Sequence, residues 1–124
     1  MAEGPENKAK WPSYTMVDPK MRAIYFKFYQ ETYRSSHLDR KTKELIAIAA
    51  SMASHCKGCL DGHIKKALKC GATKEELSET IAITMGVAAA AMVDLTDIAA
   101  ENLQIRHFDG HRAPEEPREV SPEE

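Results

Sequence analysis

A nearly unbroken apolar stretch at residues 81–93, IAITMGVAAAAMV, restricts the possible folds of this chain more than any other feature. Its run of alanines favours a helix, because Ala is the strongest helix former and is depleted in strands. The stretch is shorter than the roughly 20 residues that a membrane span needs, so we predict a buried helix and no membrane insertion. A chain of 124 residues cannot cover such a helix on all sides. We therefore expect a homo-oligomer.

The rest of the composition also favours helices over sheets. Ala contributes 17 residues, against 22 for Leu, Ile, Val and Phe together, and β-branched residues that would build a sheet are few. Neither an alternating strand pattern nor an internal repeat occurs. We predict an all-α fold, a single-domain helical bundle.

Charge and cysteine content indicate the type of partner and the compartment. Seventeen basic and nineteen acidic side chains leave a net charge of −2, which gives no basic footprint for nucleic acid or an anionic membrane. The first seventeen residues are polar and contain no apolar segment of the kind that secretory signals carry. Three cysteines, an odd number, argue against a structural disulfide framework. We expect a cytoplasmic protein whose cysteines are reactive or bind metal.

Capping signals divide the middle of the chain into four helices. Asp18-Pro19 and Asp39 are typical helix starts, Gly71 is a typical residue just after a helix end, and Thr73 with Glu76 forms a capping box. The predicted helices cover residues 18–35, 39–54, 56–70 and 73–103. We therefore divide the chain into three segments. They are an extended N-terminal arm (residues 1–17), a helical domain (18–105) and a flexible, acidic, Pro-rich tail (106–124).

Two cysteines at the predicted start of the third helix form the motif Cys56-Lys57-Gly58-Cys59. Residues three apart at a helix start lie about 5 Å apart between Cα atoms, which is within disulfide reach. The unpaired N–H groups and the positive dipole end of a helix N-terminus favour thiolate over thiol. The motif therefore predicts a redox-active dithiol that needs no bound cofactor.

His63 is the nearest candidate base for this dithiol. It follows Cys59 by one helical turn on the same face, so it can take the Cys59 proton directly or through a water molecule. We therefore predict that Cys59 is the nucleophile and that Cys56 attacks the oxidised Cys59 to close a disulfide.

Glu44 is the candidate carboxylate. It interrupts an apolar pattern on the preceding helix, where a buried carboxylate without a partner would be costly. One hypothesis is that Glu44 orients His63 and stabilises its protonated form. The other is a solvated residue that pairs with Arg40 or Lys41.

Together, Glu44, Cys56, Cys59 and His63 match the signature E-x11-C-x2-C-x3-H. In this signature the chain resembles the alkylhydroperoxidase-D-like branch of the carboxymuconolactone decarboxylase family. The flanking segments LDRKTKELIAIAASMA and HIKKALKCGATKEELSETIAI resemble the same family. The resemblance covers residues 38–93.

The resemblance implies an all-helical protomer in an oligomer, a hexamer or trimer. It also implies a peroxiredoxin-type alkyl hydroperoxide reductase, an antioxidant enzyme. Cys59 would attack the hydroperoxide and become a sulfenic acid, Cys56 would resolve it as a disulfide, and an external dithiol or protein reductant would restore both thiols. Glu44 and His63 would form the proton relay.

The chain departs from the pattern at one point, because peroxidase-type members often carry a histidine between the cysteines and this chain has Lys57-Gly58. His55 is a candidate substitute, and the alternative for it is a polar residue at a helix end. Cys70 lies too far along the helix to bridge Cys59, so we predict a buried helix-end thiol.

Three other functions remain open at this point. A general disulfide oxidoreductase would act on a protein disulfide and reduce peroxide poorly. A redox sensor would change its assembly on oxidation. A zinc module would use Cys56, Cys59 and His63, although three ligands on one helix chelate poorly.

Overall fold

The computed structural model describes residues 12–110 and 116–120, and within them the chain forms four helices and no strand. The helices are α1 (Pro19–Tyr33), α2 (Arg40–Ala53), α3 (Lys57–Lys69) and α4 (Lys74–Leu103). The all-α prediction is confirmed. Much of the predicted arm and tail lies outside the described residues.

The helix starts follow the capping residues. The side chains of Asp18 and Asp39 accept hydrogen bonds from the backbone N–H groups of Lys20 and Thr42, at 2.7 Å in each case. The capping box at α4 also forms: Thr73 Oγ1 accepts from the Glu76 N–H at 3.0 Å, and Glu76 Oε1 accepts from the Thr73 N–H at 2.9 Å. These local bonds satisfy N–H groups that a helix start leaves unpaired.

Three helices, α2, α3 and α4, end in the same backbone motif, in which a left-handed residue follows the helix; after α4 this residue is Gln104, with φ 54°. After α3 this residue is Gly71, with φ +88°, as the sequence predicts. After α2 it is His55, with φ 55°, whose N–H bonds to the Met52 carbonyl while the Cys56 N–H bonds to the Ser51 carbonyl. The turn at His55 therefore sets where α3 begins relative to α2.

The core lies between α2 and α3. Its buried apolar members are Ile48, Ala67 and Ala72, with Leu45, Ile64 and other partly buried side chains packed around them. Because Ala67 has a small side chain, α3 can approach α2 closely at this level. The close approach brings polar residues of the two helices into contact beside the core.

Helix α1 contributes no buried residue, and a lysine fastens its end to α2. Lys43 Nζ donates to the backbone carbonyls of Thr32 at 2.8 Å and Arg34 at 2.6 Å, and to Ser36 Oγ at 3.3 Å. A positive charge at the C-terminal end of a helix is favourable because the last carbonyls there lack partners. Through this contact α1 presents its aromatic residues beside the start of α3.

Helix α4 is not covered by the described residues of one chain. It contains no buried residue, and Ile83, Val87, Met92 and Leu95 are 67–70% exposed. This agrees with the expectation that a single chain cannot cover the helix, and its burial in a homo-oligomer stays a prediction. By length and composition alone, α4 would also be able to cross a membrane. The chain divides into two compact units, residues 1–90 and 91–124, and α4 contributes to both.

Candidate functional site

The two cysteines of the motif are joined as a disulfide at the start of α3. Cys56 is the N-cap residue, and its Sγ accepts a hydrogen bond from the Cys59 N–H at 3.3 Å. The Cα atoms lie 5.2 Å apart, as expected for residues three apart at a helix start. Cys56 is half-buried and Cys59 is exposed, so Cys59 is the more exposed of the two residues.

Glu44 of α2 and His63 of α3 meet across the packed pair of helices. Glu44 Oε2 lies 2.7 Å from His63 Nδ1, and the two residues are 0% and 9% exposed. The second carboxylate oxygen, Oε1, accepts a hydrogen bond from Arg40 Nε at 2.8 Å. The interpretation of Glu44 as a solvated residue is therefore wrong, while the expected contacts with His63 and with Arg40 both occur.

The partners of Glu44 determine where the protons lie. A guanidinium can only donate, so Oε1 accepts, and the bond to Glu44 raises the pKa of Arg40 further. With the carboxylate ionised, Oε2 accepts the proton of Nδ1, which leaves the lone pair of the neutral imidazole on Nε2. Nε2 is thus the atom of His63 that can accept a further proton.

Tyr33, at the end of α1, contacts His63 from the other side. Its ring stacks on the imidazole with centroids 5.2 Å apart and an interplanar angle of 24°, and its Oη lies 3.4 Å from Nε2. Burial raises the pKa of Tyr33, so the phenol keeps its proton at neutral pH. The guanidinium of Arg40 lies over the same ring at 5.9 Å. No motif in the sequence marks Tyr33; its one signal is its place on an aromatic face of the first helix, together with Phe26 and Tyr29.

A cavity of about 850 Å³ joins these groups. Cys56, Cys59 and His63 contribute to one part of its lining, and the aromatic rings of α1 contribute to another. These rings belong to Tyr25, Phe26, Phe28, Tyr29 and Tyr33. The site therefore has a disulfide and a potential base beside an apolar, aromatic wall.

Two further residues singled out in the sequence lie at helix ends. His55 is the left-handed residue after α2 and its side chain is exposed, which favours the helix-end interpretation over a relay role. Cys70 is the C-cap of α3 and carries a free thiol that is half-buried rather than buried. It does not contribute to the cavity lining.

The donor set gives no support to a zinc site. Within residues 12–110 and 116–120, no three Asp, Glu, His or Cys side chains are grouped as a metal site requires. His63 directs Nδ1 to Glu44, and both sulfurs are bonded to each other.

Comparison with known proteins identifies relatives of the chain. The model of the carboxymuconolactone decarboxylase family matches residues 19–101. An uncharacterised protein of the cox locus of Paracoccus denitrificans is 41% identical over 54 residues, which are 44% of this chain and 49% of that protein. The chain thus spans about half the length of the curated relative it matches.

Solved structures show the same helical fold. A carboxymuconolactone decarboxylase family protein of Legionella pneumophila is 36% identical with a TM-score of 0.53, over 56% of this chain and 62% of that one. A family member of Thermotoga maritima, for which a part in the antioxidative response has been suggested, is 28% identical with a TM-score of 0.56, over 70% and 90%. A protein of Methanobacterium thermoautotrophicum is 25% identical with a TM-score of 0.62, over 68% and 97%.

Proposed function

The chain belongs to the carboxymuconolactone decarboxylase family, and we propose that it is a thiol-dependent peroxidase that reduces organic hydroperoxides. The observation that carries this proposal is the buried Glu44–His63 pair, 2.7 Å apart, at the same cavity as the Cys56–Cys59 disulfide. A dithiol needs a group that takes up the proton of its nucleophile, and Nε2 of His63 supplies one. The aromatic wall of the cavity suits the apolar group of an organic hydroperoxide.

The first step oxidises Cys59 in the reduced protein. The Cys59 proton moves to Nε2 of His63, and the thiolate attacks one oxygen of the hydroperoxide. The O–O bond breaks, Cys59 becomes a sulfenic acid, and the leaving alkoxide takes up the proton to become an alcohol. Glu44 supports this step because its carboxylate stabilises the protonated imidazole.

The second step forms the disulfide that is present in this structure. The Cys56 sulfur attacks the sulfenic sulfur of Cys59, and the hydroxyl group leaves as water. An external dithiol, a small molecule or a protein, then reduces the disulfide by thiol exchange and is itself oxidised. All redox equivalents reside in thiols, so the cycle uses no bound cofactor.

Intact mass measurement of single-cysteine variants tests the two roles. The reduced wild-type protein, treated with a slight excess of tert-butyl hydroperoxide, should lose two hydrogens and consume one equivalent of peroxide. The Cys56→Ser variant should stop at a Cys59 sulfenic acid that dimedone traps, and the Cys59→Ser variant should leave the peroxide untouched. Cys70→Ser is the matched control, because this thiol lies away from the cavity lining, and it should behave as the wild type.

A second candidate function is reduction of a protein disulfide, or oxidation of a protein dithiol, by thiol exchange. The exposure of Cys59 favours it, because a partner cysteine can reach an exposed sulfur. Slow peroxide consumption together with fast thiol exchange with a protein dithiol would favour this function over the peroxidase. An oxidation-dependent change in oligomer mass would favour a redox sensor instead.

We also propose that the exposed apolar residues of α4 pack against further copies of the chain, in a trimer or hexamer in the cytoplasm. The support is the 67–70% exposure of large side chains such as Val87 and Leu95, since contiguous apolar surface of this kind marks an interaction site. Light scattering after size-exclusion chromatography should give a multiple of the 13.8 kDa protomer mass. Recovery of the protein in the membrane fraction would contradict this assembly and favour membrane insertion of α4.

A further inference from the structure

The face of His63 that must accept the cysteine proton already has a partner. Nδ1 is bonded to Glu44, and Nε2 lies 3.4 Å from the hydroxyl of Tyr33. Because Nε2 carries a lone pair in the neutral imidazole, the Tyr33 hydroxyl donates its proton toward Nε2. The base is therefore held between a carboxylate on α2 and a phenol on α1.

We propose that Tyr33 is a positioning residue of this site, whose hydroxyl holds Nε2 of His63 in both protonation states of the imidazole. In the neutral state the hydroxyl donates to Nε2. Nε2 has a single lone pair, so the hydroxyl rotates its proton away when the Cys59 proton arrives and then accepts the new Nε2–H. The proton stays on His63 and Tyr33 keeps its own, so the hydrogen bond reverses without a movement of the ring. This role rests on the proposed proton transfer from Cys59 to His63.

Three features of Tyr33 suit it to this role. The stacked ring contact, with centroids 5.2 Å apart, fixes the plane of the imidazole. Burial raises the pKa of Tyr33, so the hydroxyl has a proton to donate at neutral pH. A hydroxyl can also switch between donor and acceptor by rotation about its C–O bond, which an amide or an ammonium group cannot do.

Titratable and charged groups from α1, α2 and α3 surround the Tyr33–His63 contact. They are Tyr25 and Tyr29 from α1, Arg40 and Glu44 from α2, and Lys66 from α3, whose Nζ is bonded to the Tyr29 hydroxyl. Arg40 and Glu44 form an ion pair with each other, so their charges largely offset one another at the ring. Among these described groups, the Tyr33 hydroxyl is the one within hydrogen-bond distance of Nε2.

The pH dependence of cysteine alkylation in the reduced protein tests the proposal. A hydrogen bond to a charged group is about twice as strong as one between neutral groups. Tyr33→Phe therefore destabilises the pair of imidazolium and thiolate more than the neutral pair. We expect the midpoint of Cys59 alkylation by iodoacetamide to rise by about one pH unit, equivalent to about 1.4 kcal/mol, with a rate about tenfold lower below the midpoint.

Tyr29→Phe is the matched control. Tyr29 lies one turn earlier on α1, its ring packs on Tyr33 at 4.6 Å, and its hydroxyl bonds to Lys66 rather than to His63. The control variant removes a hydroxyl from the same aromatic cluster without removing a contact to His63, so it should shift the alkylation midpoint less than Tyr33→Phe does. An unchanged midpoint in Tyr33→Phe, or an equal shift in both variants, would overturn the positioning role.

The imidazole 15N resonances of His63 give a second readout, which starts from the wild-type protein. In the oxidised wild-type protein we expect a protonated Nδ1 and an unprotonated Nε2, and Tyr33→Phe should shift the Nε2 resonance while Tyr29→Phe should not. A proton on Nε2 in the wild type would overturn the inference. Alkylation uses no peroxide, so a shifted midpoint in a protein that leaves hydroperoxides intact would support the role of Tyr33 and refute only the peroxidase proposal.

Discussion

Replacement of Glu44 by Gln removes the buried charge while keeping the shape of the side chain. The carboxylate accepts one hydrogen bond at each oxygen, from Arg40 Nε at 2.8 Å and from His63 Nδ1 at 2.7 Å. An amide has a single oxygen, and its NH2 group can only donate. Because the guanidinium cannot accept a hydrogen bond, we expect the amide oxygen to stay with Arg40 and the NH2 group to turn toward His63.

The hydrogen bond to His63 is kept only if His63 changes its tautomer. Nδ1 must then accept from the amide, and the proton moves to Nε2, which can donate to the Tyr33 hydroxyl. One N–H of the amide bonds to Nδ1, but the second N–H has no acceptor among the described contacts of this buried position. The loss of stability therefore combines weaker hydrogen bonds with one unpaired buried donor, which costs about 1–3 kcal/mol. We expect the free energy of unfolding to fall by about 2–5 kcal/mol, since a bond to a charged group contributes about 1.5–3 kcal/mol and a neutral one about 0.5–1.5 kcal/mol.

Reactivity should fall together with stability. The Gln variant places a proton on the one nitrogen that has to accept the Cys59 proton, and general base catalysis typically contributes about 10²–10⁴-fold to a rate. We therefore expect at least about a hundredfold slower reaction of the reduced variant with tert-butyl hydroperoxide, measured by stopped flow. Urea denaturation of the same preparation gives the change in stability, and 15N NMR gives the tautomer.

Glu31→Gln is the matched control for this prediction. Glu31 pairs with Arg34 at 3.1 Å on the surface, where its side chain is 62% exposed, so the change should alter stability by less than about 0.5 kcal/mol and leave the rate unchanged. A Glu44→Gln variant that keeps the proton on Nδ1 and reacts at the wild-type rate would refute the reasoning. A loss of stability above about 6 kcal/mol would refute the tautomer change, because it would indicate a second unpaired buried group besides the amide N–H.

Three further changes have expected outcomes. Gly71→Ala should lower the free energy of unfolding in urea by about 1 kcal/mol, because φ is +88° there; equal stability would contradict the left-handed turn. His55→Gly should raise the free energy of unfolding by up to about 1 kcal/mol, since φ is 55°. It should leave peroxide reduction unchanged, and a loss of activity would instead support the relay hypothesis for His55. Hydrogen bonds from the backbone N–H of Thr73 and, second, from Lys41 hold the pKa of Glu76 below its ordinary value of 4.5. The ionised carboxylate therefore stabilises the fold fully above pH 4.5. This stabilisation is lost as the pH falls through the lower pKa of the folded state. Glu76→Gln should therefore show a smaller fall in Tm between neutral and acidic pH than the wild type, and an equal fall would contradict this.

The features that the sequence predicted correctly depend on neighbouring residues. The caps at Asp18 and Asp39 and the turn at Gly71 are made by bonds between residues at most five apart, so their signals are local. The contact between Glu44 and His63 was also predictable, because a short turn forces α2 and α3 to pack side by side. Within this pair of helices, an acidic residue on the apolar face of α2 faces α3 and can bond to a residue there, in addition to Arg40 one turn earlier on α2.

The features that the sequence did not predict depend on longer-range packing. Tyr33 reaches His63 only because α1 lies beside the start of α3, and Lys43 holds the end of α1 through backbone carbonyls that have no sequence signature. Helix α4 is exposed because the described residues pack too little over its apolar side chains to cover them. Its sequence indicates that these side chains need a partner, but not which partner. Periodicity shows which face of a helix is apolar, but not which partner the face meets.

The polar site also belongs to the packing of the fold. The described apolar core between α2 and α3 is small, with Ile48, Ala67 and Ala72 as its buried members. The largest fully buried side chains among the described residues are those of Ile48 and Glu44. A buried carboxylate is tolerated only when its oxygens are paired, and Arg40 and His63 pair both of them. The packing of α2 on α3 that keeps Glu44 paired is therefore the same packing that holds His63 at the cavity of the two cysteines. Variants that weaken the packing of α2 on α3 should reduce cysteine reactivity before the protein unfolds, because a small shift between the helices separates the carboxylate from the imidazole.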